Sequence, residues 1–140
     1  MRSIACLLPL ALVAAAPPAQ FDLVCSGTET RQTYLRSDTS PYRTTYRVDL
    51  DRRQWCDNEC KEVHGFVTIV PSELILHDID VETDSESSVL RDRIDRVTGR
   101  QTVEASDMVL GEPNSARKVK RDGQCAPAPF SGFPELKTKF

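Results

Sequence analysis

The chain has no GxSxG nucleophile turn and no P-loop. It has only two histidines, His64 and His77, and neither sits in a nucleophile, metalloprotease or kinase pattern. An enzyme is left unsupported, because acid–base chemistry would have to rest on carboxylate pairs hidden among 21 acids. Positive charge is not in excess either. Beyond residue 19 the chain carries 17 Lys and Arg against 21 Asp and Glu, a net charge of −4 that disfavours general nucleic-acid binding. Nor is any apolar run long enough to span a bilayer. Residues 4–16 are the longest, and they stop at Pro17-Pro18, short of the roughly 20 residues that cross about 30 Å of hydrocarbon.

That run does have another reading. One cation, Arg2, precedes it and small residues end it, the layout of a secretory signal peptide over residues 1–19, with a mature start between Ala16 and Gln20. Cys6 lies ahead of most of the run, so lipid attachment there would leave no export signal behind it. A periplasmic or secreted location follows as an expectation, with residues 20–140 as a single domain, no membrane span after cleavage and no repeat or internal boundary.

Export would leave Cys25, Cys56, Cys60 and Cys125 in an oxidising compartment, an even number in a domain with a small core. Three pairings are possible. We expect Cys25 with Cys125, which lie in strand-like segments near the two ends, and Cys56 with Cys60, which are close in sequence. Cys56, Cys60 and His64 also recur every fourth residue, so on a helix they could hold a soft metal such as copper or serve thiol redox chemistry. Against that, the spacing is not the two-residue gap common in zinc sites, and Gly65 with the β-branched residues after it opposes a long helix. The expected state is two disulfides, with no metal and no cofactor.

The hydrophobic period is two, not 3.6. Phe21, Leu23 and Cys25 alternate with Asp22, Val24 and Ser26; Tyr42, Thr44, Tyr46, Val48 and Leu50 alternate with Arg43, Thr45, Arg47 and Asp49. Further strands are expected at residues 54–56, 66–70, 74–77, 89–97, 101–105 and 118–125, with at most one helical turn at residues 57–62. Residues 27–41 and 107–117 read as loops or ragged strand ends. About eight short strands of this kind predict an all-β domain, an antiparallel meander or a small closed β-barrel, in which a Cys25–Cys125 bond makes the first and last strands neighbours.

Asp78, Asp80, Glu82, Asp84 and Glu86 recur at every second position. An EF-hand loop begun at Asp78 would need Gly and Glu where Thr83 and Val89 stand, so calcium is not indicated. A hairpin turning at residues 85–88 accounts for the stripe by setting Asp80 opposite Arg93 and Glu82 opposite Arg91. His77 reads as the surface end of a strand. From about residue 126 the chain is rich in proline, with Phe130, Phe133 and Phe140, and is expected to form a strap that caps an open barrel end. Phe130 and Phe133 are also the candidate partner-binding residues.

The segments Phe21-Asp22-Leu23-Val24-Cys25-Ser26-Gly27, Ile94-Asp95-Arg96-Val97-Thr98-Gly99 and Ala128-Pro129-Phe130-Ser131-Gly132-Phe133-Pro134 resemble uncharacterised small exported β-domain proteins of Gram-negative bacteria. The strand, Cys and Gly opening with a late Cys is also similar to the periplasmic inhibitors of C-type lysozyme, which are disulfide-bonded eight-stranded barrels. That likeness covers the two ends alone, and this chain is longer and has a second cysteine pair. It implies a non-enzymatic exported domain that binds a protein or cell-envelope partner, a lysozyme inhibitor being one version. No inhibitory residue is carried over.

Overall fold

The computed structural model describes residues 18–134; the expected leader core at residues 4–16 and Phe140 lie outside them. Nine antiparallel strands form one sheet: β1 (Gln20–Thr33), β2 (Ser37–Asp49), β3 (Gln54–Asp57), β4 (His64–Gly65), β5 (Thr68–Val70), β6 (Glu73–Glu82), β7 (Glu86–Asp95), β8 (Arg100–Val109) and β9 (Arg117–Ala128). Their order is β4-β3-β2-β1-β9-β8-β7-β6-β5, and the sheet curls into a half-barrel. The all-β expectation holds. A closed barrel of eight strands does not.

The reason is where the first and last strands meet. β1 and β9 pair in register from Asp22↔Ala128 to Thr33↔Arg117, with Cys25 directly opposite Cys125, but this seam lies in the middle of the sheet. The barrel's gap falls instead between β4 and β5, which follow one another in the chain without pairing. Phe66 N donates to Arg53 O on one side and Val67 N to Ile75 O on the other, so this short stretch bridges the two edges at one end only.

Alternation places Leu23, Cys25, Tyr46, Val48, Trp55, Phe66, Leu74, Leu76, Ile94 and Cys125 on the concave face, where they form the buried core. Both expected disulfides, Cys25–Cys125 and Cys56–Cys60, are formed. Residues 57–62 make a turn, closed by Cys60 N donating to Asp57 O, and not a helical one. Residues 27–41 are not a loop. They are the upper halves of β1 and β2, joined by a three-residue tip at residues 34–36. Likewise β8 reaches Val109 and β9 begins at Arg117, leaving a shorter connection that holds one 3-10 turn, Pro113–Ser115.

The acidic stripe is charge-paired in a different register from the one expected. The β6–β7 turn falls at residues 83–85, which sets Asp78 opposite Arg91 and Asp80 opposite Val89, and a bulge between Ile75 and His77 shifts the ladder by one residue beyond them. The ion pairs are Arg91 to Asp80 at 2.8 Å and to Asp78 at 3.5 Å, and Arg93 to Asp78 at 3.5 Å. Cross-strand pairing survives the shift because a guanidinium reaches both direct and diagonal neighbours.

Candidate functional site

Above the apolar core, the concave face becomes polar. His77, Asp92, Val103, Arg121 and Glu29 form one row across β6, β7, β8, β9 and β1. Asp92 is almost fully buried, yet it has no ion pair. Tyr46 Oη donates to its Oδ2 at 3.2 Å and Gln101 Nε2 to its Oδ1 at 3.0 Å. Gln101 Nε2 also lies 2.7 Å from Tyr46 Oη, and Tyr42 Oη donates to Gln101 Oε1 at 3.0 Å. Buried Glu29 accepts from Arg121 Nε at 2.5 Å and from Arg31, and the Arg121 guanidinium sits 5.4 Å from the centre of the Tyr42 ring. Among the described residues no buried side-chain nitrogen or oxygen lacks a partner, so the hydrogen bonding of the cluster is satisfied.

These carboxyls titrate in opposite directions. Burial pushes the Asp92 pKa up, and the bonds from Gln101 and Tyr46 recover only part of the cost. Burial acts on Glu29 in the same sense, but the hydrogen bonds from Arg31 and Arg121 outweigh it and hold its carboxyl below the ordinary value. Asp49 behaves like Glu29: burial raises its pKa, while Arg52 N and the Gln20 side chain lower it further. Burial likewise lowers the His77 imidazole, with Asp92 opposing and His64 adding to the shift.

The signs follow from linkage. Glu29 and Asp49 have lowered folded pKa values, so they stabilise above the ordinary carboxylate pKa and lose that contribution as pH falls. Asp92 has a raised folded pKa, so the fold is penalised once it ionises as pH rises. Asp92→Asn is therefore expected to raise the thermal midpoint by a few degrees at pH 7, the gain shrinking as pH is lowered through the raised pKa. Melting curves across that range check this, and a variant less stable at pH 7 than at pH 4 relative to the parent would reverse the sign.

Trp55 stands between the two histidines, its ring 4.8 Å from that of His64 and 5.1 Å from that of His77; the imidazoles are 6.1 Å apart. Cys56 and Cys60 are bonded to each other and buried, and His64 packs on Trp55, a placement that favours a disulfide with an aromatic contact over a metal-ligand set. The described residues hold no group of three or more metal-ligating side chains.

The strap crosses the convex face of β1 and β2, where Ser131 N donates to Asp22 Oδ1 at 3.2 Å and Arg47 Nη1 to Gly132 O at 2.9 Å. The rings of Phe130 and Phe133 are half-buried, 5.5 Å apart and edge to face. The strap covers Asp22, which explains why an outward-facing carboxylate is only 6% exposed.

Exposed apolar groups lie at both ends: Val97, 80% exposed, is in the β7–β8 turn at the strap's end, and Tyr34 and Leu35 are at the other. Ladder registers bring the tip at residues 34–36, the turn at residues 83–85 and the connection at residues 110–116 to that end. Tyr34 is 66% and Leu35 87% exposed, and Ile79, Val81, Val109 and Leu110 are each more than a third exposed. Neither this end nor the polar row was singled out in the sequence. Asp92 carries a signal, since it stands in phase between Leu90 and Ile94, and Glu29 stands in phase with Leu23 and Cys25.

No family model, no curated protein and no solved structure matches this chain. The class defined by the fold is an all-antiparallel, disulfide-bonded half-barrel with a charged inner row. Among the described residues no helix is long and apolar enough to cross a membrane.

Proposed function

We propose that this chain is an exported binding domain, not a catalyst, and that it engages a protein or cell-envelope partner through the open end where the β1–β2 tip projects. What carries this reading is the exposure of Tyr34 and Leu35 at the end of two strands of 14 and 13 residues. A large aromatic and a leucine held in solvent cost solubility and add nothing to the core, whereas such groups anchor interfaces once a partner buries them. The two disulfides fit the oxidising compartment the proposal needs. An inhibitor of C-type lysozyme is one version, in which the projecting tip enters the enzyme's cleft.

The test is the double variant Tyr34→Ser with Leu35→Ser in the mature protein. Its unfolding free energy should stay within about 0.5 kcal/mol of the parent, because exposed side chains contribute little to folding. Its recovery of partners from envelope extract should fall by about tenfold or more, and so should any inhibition of a C-type lysozyme. If parent and variant recover the same proteins in the same amounts, the tip is not the contact.

A further inference from the structure

β6 pairs with β7 along its length, but its other side meets β5 only at Glu73, Leu74 and Ile75. The bulge between Ile75 and His77 carries the strand out of that second ladder. From His77 to Glu82, alternate backbone amides and carbonyls face away from β7 with no strand beside them among the described residues. The other long edge, β2 beyond its short ladder with β3, carries Pro41, which lacks the amide hydrogen an added strand would need. The β6 edge has neither proline nor glycine.

The side chains on this edge specify what can join it. Ile79 and Val81 point to the concave side and are 43% and 42% exposed. Asp78, Asp80 and Glu82 alternate with them on the opposite face. Over residues 78–86 five carboxylates meet two guanidinium groups, those of Arg91 and Arg93, so the hairpin keeps an excess of negative charge. A second copy docking by the same edge would set carboxylate against carboxylate, which is unfavourable across a ladder.

We propose that the free edge of β6, His77–Glu82, takes up an extended segment of a partner protein in which basic residues alternate with apolar ones. The segment's backbone supplies the missing ladder. Its cations meet Asp80 and Glu82 on one face, and its apolar side chains cover Ile79 and Val81 on the other. This rests on the reading of the chain as a binding domain and names the partner's chemistry. It uses atoms distinct from the Tyr34–Leu35 tip.

The probe is an end-capped hexapeptide alternating lysine and valine, added to the full folded chain, with a glutamate–valine peptide as control. The readout is amide hydrogen exchange, residue by residue. The lysine peptide should slow exchange by about tenfold or more at the amides of residues 77–82 that face away from β7. The glutamate peptide should not, and Asp80→Lys with Glu82→Lys should exchange the two preferences, while unchanged protection in β1 and β9 confirms that the variant folds.

Several results overturn the proposal: no slowing, equal slowing by both peptides, or slowing along β2 instead. Protection without peptide that grows with protein concentration would assign the edge to a second copy. Protection without peptide that is lost on deleting residues 135–140, which include Lys137 and Lys139, would assign it to the chain's own tail. A negative peptide result with the tip variant still defective in partner recovery removes the edge proposal and leaves the binding reading standing.

Discussion

Replacing Cys25 and Cys125 together by alanine is expected to lower the unfolding free energy by about 4 to 5 kcal/mol, the value a chain-entropy model assigns to a loop of about 100 residues. The two cysteines are 100 residues apart in the chain and directly opposite in the β1–β9 ladder. Strands β1 to β4 form one antiparallel run and β5 to β9 another, and the β1–β9 seam joins them. Without the bond, the unfolded chain must close that long-range ladder at full entropic cost. The Cys56–Cys60 bond closes only a separation of 4, so replacing both residues should cost about 2 kcal/mol on the same model. Denaturant titration followed by Trp55 fluorescence would measure both. Equal losses from the two double variants would show that the seam is not what the long bridge stabilises.

Two rungs along the same ladder, Gly27 faces Gly123. A Cβ on Gly27 would press into the Asp122 carbonyl oxygen and the Gly123 Cα. On Gly123 it would meet Tyr42 Oη and come within 2.6 Å of Ser26 O. Most of these neighbours are backbone atoms, which cannot rotate away, so the strands themselves must spread. We expect Gly27→Ala or Gly123→Ala to destabilise by about 3 kcal/mol or more, at the upper end for overpacking. Gly123→Ala should also displace Tyr42 from Gln101 and loosen the row that holds Asp92. Gly65→Ala is the matched control, since the nearest atom to its added Cβ is Arg53 O at 4.0 Å. If Gly27→Ala melts at the same denaturant concentration as Gly65→Ala, the close approach of β1 and β9 is not limiting.

The strands were readable wherever one face is apolar, as in Phe21, Leu23 and Cys25 or Tyr42, Tyr46 and Val48. The upper half of β1 was missed because its concave positions are Gly27, Glu29 and Arg31. Such residues look like loop until Arg121, 92 positions from Glu29, is placed beside them. The β6–β7 register was displaced because the turn falls at residues 83–85, earlier than residues 85–88, and the acidic alternation carries no mark of where it reverses. The strap's composition was legible as a strap, but its seat on Asp22 and Arg47 depends on which face of β1 and β2 was left uncovered.

By itself, the sequence determined the all-β class and the charge-paired hairpin, because alternation and opposite charge act between residues close along the chain, and it left three cysteine pairings open. Only the tertiary structure decided that the first and last strands meet mid-sheet, that the gap opens between β4 and β5, and that Asp92 is buried without an ion pair. Those outcomes depend on ladder partners and desolvation, which are set by residues as much as a hundred positions apart.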